Sequence, residues 1–227
     1  MRNVRLIYKK QGRAKYISHL DMNRLFSRIL KRSGLPIWYT EGFNPHIFLT
    51  FTLPLSLGFV SEYDVCDFRV TDDKMTNDYI ADVLRNSVPE SIEVVNVIDP
   101  VMKAKDLAFA EFKINIDCDK DNAEKLKEFL NQDEITVEKT TKKKQIKTFD
   151  VKEKIRKYDV SDTENGLYIY LLLPCGNDGN INPMLIFEKA WENIDFEIDS
   201  VARGKLFDKN MQLFHWQTNR FNGIITY

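Results

Sequence analysis

Val4, Leu6 and Tyr8 alternate with Arg5 and Lys9, the period of two that predicts a half-buried strand. Ser18 three residues before Asp21 predicts a helix N-cap with an acid in the first turn, and Gly34 with Pro36 ends that helix. A short strand is expected at residues 37–40, then a long Gly- and Pro-containing loop and a strand at 63–70. Tyr79, Ile80, Val83 and Leu84 give helical spacing over 75–88, and a β-branched run closes at 92–98. The same order returns in the second half. Ala110, Phe112, Ile114 and Ile116 alternate with Glu111, Lys113, Asn115 and Asp117; Ala123, Leu126, Phe129 and Leu130 mark a helix; a strand is expected at 135–139. Residues 168–173 are apolar on both faces, as in a central strand. Asn182-Pro183 opens a helix running through Phe187, Ala190 and Trp191, and 196–206 returns as a strand. The expected fold is α+β: two tandem ferredoxin-like β-α-β-β-α-β units with antiparallel sheets, residues 1–100 and 107–206. Residues 207–227, with Phe214, Trp216 and Phe221, are aromatic enough to pack on one of these units.

The chain has 227 residues, 43% of them hydrophobic, enough for one sizeable core or two smaller ones and too apolar for disorder. Its longest nearly unbroken apolar run, 167–175, is less than half of the roughly 20 residues a membrane span needs. The start, MRNVRLIYKKQG, has no apolar signal core. Cys66, Cys118 and Cys175 are far apart and odd in number, so no disulfide, cysteine-held cluster or cysteine-based zinc site is expected. A cytoplasmic location follows, with no membrane and no cofactor.

The net charge of −1 hides a segregation. Residues 1–50 carry ten basic against two acidic side chains, a net of +8, whereas 51–100 carry three against ten, a net of −7. Such asymmetry speaks of partners. On a helical wheel Arg24, Arg28 and Arg32 form a ridge opposite Met22, Leu25, Phe26, Ile29 and Leu30, and guanidinium groups one turn apart suit a row of phosphates. Arg5 joins these as a candidate nucleic-acid contact. A second cluster, residues 139–157, holds nine bases, Lys142, Lys143 and Lys144 among them, against two acids. It is expected to be a projecting basic loop or hairpin that contacts phosphates. Solvated faces are the plain alternative for both.

Glu41-Gly42-Phe43-Asn44-Pro45-His46 is a turn by composition, and Ser18-His19-Leu20-Asp21 stands at the start of the first helix. Convergence of Ser18, His19, Asp21, Glu41, Gly42, Asn44 and His46 would make a ligand pocket. His19 and His46, with Glu41 and Asp21, are the candidates for acid–base catalysis on a ribose hydroxyl and a phosphate. The two histidines could also bind a metal with Asp21 or Glu41, but neither H-x-x-x-H nor H-E-x-x-H spacing is present, so this is the weaker reading and no metal is expected. Both histidines could equally brace the turn.

The S-H-L-D run, the arginines after it, E-G-F-N-P-H, Pro54-Leu55, Gly58, Ser61-Glu62, Thr148-Phe149-Asp150-Val151, Asn182-Pro183 and Val201-Ala202-Arg203 resemble the radical-SAM-linked bacterial family of unknown function. One departure is Ile47-Phe48, where that family usually has Pro-Lys. The resemblance implies a bacterial accessory to a radical SAM protein supplied in trans, and RNA as a partner. Three readings follow: an RNA-binding or substrate-presenting accessory protein; a metal-independent RNA-processing or RNA-modifying enzyme using His19 and His46, as the fold plan of CRISPR repeat-processing endoribonucleases suggests by analogy; or a protein-interaction module.

Overall fold

The computed structural model describes residues 1–140, 146–176 and 179–214. They form an α+β fold with one large, mostly antiparallel sheet and four helices. In the first half β1 (Arg2–Lys10) leads to α1 (His19–Arg32), then β2 (Leu49–Phe51), β3 (Val60–Val70), α2 (Asn77–Arg85) and β4 (Ile92–Ile98). The second half runs β5 (Leu107–Asp117), α3 (Lys120–Asn131), β6 (Thr136–Thr140), β7 (Ile146–Asp150), β8 (Lys157–Thr163), β9 (Gly166–Pro174), α4 (Met184–Ala190) and β10 (Glu197–Asp208). The strand order is β4-β1-β3-β10-β5-β9-β8, with β2 also on β3; β6 and β7 form a separate hairpin. All pairings are antiparallel except β3 with β10, where Val60 faces Ala202 and Ser61 faces Arg203. The two halves therefore share one continuous sheet.

Alternation explains these elements. Val4, Leu6 and Tyr8 of β1 face one core beneath α1 and α2, while Ile7 turns into the other core, under the second half. α1 buries Met22, Phe26, Ile29 and Leu30 along one stripe. Phe26 anchors it, with ring centroids 4.8 Å from Tyr8 and 5.6 Å from Phe51. No helix among the described residues is long and apolar enough to cross a membrane, and all three cysteines are free thiols.

One expected strand and the pairing of another are corrected. Residues 37–40 make only isolated bridges, Ile37 with Val70 and Tyr39 with Ile47. The chain reverses there, because the Thr40 amide donates to the His46 carbonyl at 2.8 Å, and the strand on β3 is β2 instead. The strand at 135–139 does form, but pairs with β7 outside the large sheet. β8 takes the place beside β9. As an edge strand it exposes most of its side chains, so its sequence carries little apolar alternation. The basic segment is thus partly a hairpin, whereas Lys142, Lys143 and Lys144 lie outside the described residues. Of the aromatic segment, Phe214 is fully buried and its amide donates to the Leu206 carbonyl; Trp216 and Phe221 lie outside the described residues.

Candidate nucleic-acid interface

The charge asymmetry resolves into two parts. Bases of β1 meet acids from residues 51–100: Arg2 lies 3.6 Å from Asp99, Lys9 2.9 Å from Glu93, and Arg5 forks onto Asp67 through bonds of 2.7 and 2.8 Å. Arg5 is 1% exposed, and its guanidinium carbon stands 4.8 Å from the centre of the Phe214 ring. The expectation that Arg5 contacts nucleic acid is therefore corrected, since Asp67 already takes its charge and the fold covers it. The bases of α1 and of the preceding 3-10 turn, Gly12–Tyr16, are left over.

α1 begins as its sequence dictates. Ser18 accepts from the Asp21 amide at 3.2 Å, and its hydroxyl donates to the Asp21 carboxylate at 2.8 Å. Arg24 then donates to the same carboxylate at 2.9 Å. The Ser18 hydroxyl first, and Arg24 second, hold the Asp21 carboxyl below its usual range. Ser18 and Asp21 thus serve helix initiation, and Arg24 is the one ridge arginine already paired. Arg28, Lys31 and Arg32 are exposed and have no hydrogen-bond or ion-pair partner among the described residues. The 3-10 turn adds exposed Arg13 and half-buried Lys15, whose ammonium lies 5.2 Å from the Tyr16 ring centre; Tyr16 is 68% exposed. Replacing Ser18 with Ala should cost about 1 kcal/mol of stability in urea unfolding, with the salt dependence of any RNA binding unchanged.

The 40–46 loop is self-contained. The Thr40 hydroxyl lies 3.0 Å from His46 Nδ1 and accepts from the His46 amide at 3.1 Å, and the Asn44 carbonyl is 3.2 Å from the same ring nitrogen. Gly42 has φ of +115°, a conformation that favours glycine. The turn leaves Glu41 exposed and thrusts Phe43 fully into solvent, with Tyr39 41% exposed nearby in the chain. His19 instead packs edge-on against Phe51, ring centroids 5.4 Å apart. Among the described residues no hydrogen bond or ring contact joins His19 to Glu41, Asn44 or His46, and no three potential metal ligands cluster.

Sequence reasoning missed a buried polar row. Lys10 of β1 faces Ser61 of β3, which faces Arg203 of β10, so the three side chains lie side by side across adjacent strands. Asp64 faces Tyr8. Ser61 and Asp64, three apart, would point to opposite faces of a regular strand. A bulge between Tyr8 and Lys10 absorbs the extra residue and turns both the same way. All five are nearly inaccessible. Arg203 Nη2 donates to the Asp64 carboxylate and to the Leu53 carbonyl at 2.7 Å, and Nη1 to the Pro54 carbonyl at 3.2 Å. Lys10 donates to the Ile17 carbonyl at 3.0 Å. Burial first, then the Asp64 carboxylate, pushes the Tyr8 phenol well above its ordinary range, so it stays neutral. Among the described residues, Arg203 Nε and the Ser61 hydroxyl find no partner.

Two cavities flank the Leu53-Pro54-Leu55 strip. One, beside His19, Met22 and Asp64, is about 10 Å³, room for a single water. The other is about 250 Å³ and lies between the 53–59 loop and residues 180–183, with Arg203 and Phe112 in its lining.

Comparison with curated proteins gives no match. Twenty-one chains of solved structures match. One belongs to the crystal structure of a Cbf5-Nop10-Gar1 complex, at 11% identity and a TM-score of 0.47, with 90% of this chain and 48% of that chain covered. This chain thus spans about half the length of that one, and at such a likeness nothing about activity transfers. Residues 3–183 match a family described as "Uncharacterized protein conserved in bacteria (DUF2344)". The match runs from β1 to the first residues before α4, and by it the chain belongs to this bacterial family of uncharacterized proteins.

Proposed function

We propose that this protein is a non-catalytic binder of single-stranded RNA, acting in the cytoplasm as an accessory that holds RNA for a maturation enzyme, a radical SAM protein in trans among the candidates. The carrying observation is the α1 ridge, where Arg28, Lys31 and Arg32 stand exposed and, among the described residues, unpaired, while Arg2, Arg5 and Lys9 of neighbouring β1 are matched by acids. Unpaired cations in a row are what a phosphate backbone recognises. Exposed Tyr16, Tyr39 and Phe43 supply faces for base stacking, which favours single strands over duplexes. The strand neighbours β4-β1-β3-β2 and β10-β5-β9-β8 support reading the scaffold as two ferredoxin-like units, residues 1–100 and 107–206. The β6–β7 hairpin would then be an insertion in the second unit, a basic arm consistent with a further backbone contact.

The test is fluorescence anisotropy with a short labelled RNA, single-stranded and annealed to its complement. Tighter binding of the single strand at low salt is expected. No affinity for either form at low salt would overturn the proposal.

A further inference from the structure

The 250 Å³ pocket between the two halves lies apart from the basic ridge and has its own chemistry. We infer that it is a subsite for one nucleobase of the bound RNA, an inference that rests on the RNA-binding reading above. The volume falls just under the roughly 300–1,000 Å³ of pockets for drug-sized ligands, which suits a single ring system with its sugar. Phe59 and Phe112, edge to face with centroids 6.4 Å apart, and Pro54 and Pro183 supply flat apolar walls.

The polar groups among them are donors and acceptors rather than net charge. The Ser56 hydroxyl and Asn182 Nδ2 stand 3.5 Å apart, at the limit of a hydrogen bond, so both are available to a ligand edge. Asn182 Oδ1 accepts from the Met184 amide at 3.1 Å, which fixes the side chain in place. Arg203 lines the pocket with its charge already met by Asp64 and, among the described residues, its Nε unpartnered. A free phosphate or carboxylate would ask for uncompensated positive charge here. A heterocycle asks for flat walls and mixed edge contacts, which is how single-stranded RNA bases are read.

Position supports the same conclusion. The Gly58 amide, beside Phe59 in the pocket-lining loop, donates to the Lys15 carbonyl at 2.8 Å. The 3-10 turn carrying Arg13, Lys15 and exposed Tyr16 is therefore fastened to the pocket rim, where it can take the flanking phosphate and the next base.

The experiment is calorimetric titration of the full chain with AMP, GMP, CMP, UMP and inorganic phosphate, alongside anisotropy with single-stranded homopolymeric RNAs. The same measurements are made on Ser56→Trp, which fills the pocket from its rim. The expected result is saturable binding of at least one nucleotide and a matching preference among the homopolymers. Ser56→Trp should lose both by tenfold or more and keep the wild-type salt dependence of RNA binding. If no nucleotide binds wild type while RNA still does, or if phosphate alone binds as well as the nucleotide, the base subsite is overturned and the RNA-binding reading stands. If RNA does not bind at all, the reading itself fails, and the subsite with it. The wild-type titrations decide the matter even if Ser56→Trp does not fold.

Discussion

Replacing Asp64 with Ala is expected to destabilise the protein by about 3–5 kcal/mol, the cost of removing one partner of a buried ion pair. Asp64 is the one acid in the polar row, and without it Lys10 and Arg203, on either side of Ser61, would lie buried with no counter-charge. Arg203 comes from β10 and holds the Leu53 and Pro54 carbonyls as well, so the loss falls where the two halves join. Urea unfolding would measure it. Replacing the pair together, Asp64→Leu with Arg203→Met, should recover part of the loss, because the arginine charge is no longer stranded, while Lys10 keeps only its bond to the Ile17 carbonyl. Lys10 adds a pH signature. Burial holds its ammonium below the usual lysine value, so the unfolded chain binds more protons than the folded one between the two values. The Lys10 contribution to stability therefore rises with pH across that window, whereas the raised Tyr8 phenol contributes the opposite sign above its ordinary value. Removing Asp64, whose charge favours the ammonium, should steepen the rise. An Asp64→Ala variant no less stable than wild type would contradict this role of the Asp64–Arg203 pair.

The second large effect is on binding. Arg28→Ala, Lys31→Ala and Arg32→Ala together should weaken single-stranded RNA binding by roughly fiftyfold at about 0.15 M salt. Each phosphate contact on a single strand contributes a slope near −0.7 in log K against log salt, about fourfold per contact at that concentration. These three side chains bury little and bond to nothing described, so thermal stability should change by less than about 0.5 kcal/mol. An affinity within twofold of wild type would move the RNA elsewhere on the molecule.

Much of the frame was legible because alternation and helical spacing are local. β1, α1, β5, α3 and the apolar β9 could be placed from neighbouring residues alone, and the arginine ridge of α1 is the complement of its apolar stripe. The Ser18 cap with Asp21 was legible for the same reason. What failed to show was long-range. Asp64 and Arg203 are 139 residues apart, and each looks like an ordinary polar position on a half-buried strand until β3 and β10 pair. Tyr63-Asp64-Val65-Cys66 did carry a signal, a charge between apolar neighbours, and its meaning depended on a bulge no pattern announces. Arg5 misled in the same way, since Asp67 is its cross-strand neighbour only once β1 and β3 are in register. The two histidines, close to turn signals, read as one pocket, yet His19 answers to Phe51 and His46 to Thr40.

RNA held by a row of unpaired cations must release counterions in proportion to them. The most direct measurement is therefore the salt series itself, the single-stranded RNA affinity of wild type and of the Arg28/Lys31/Arg32 alanine variant from low salt upward. Log K should fall linearly with log salt for both proteins, with a slope shallower by about 2 for the variant and affinities that converge near about 1 M salt. Parallel lines, or a wild-type affinity indifferent to salt, would contradict the ridge as the RNA contact.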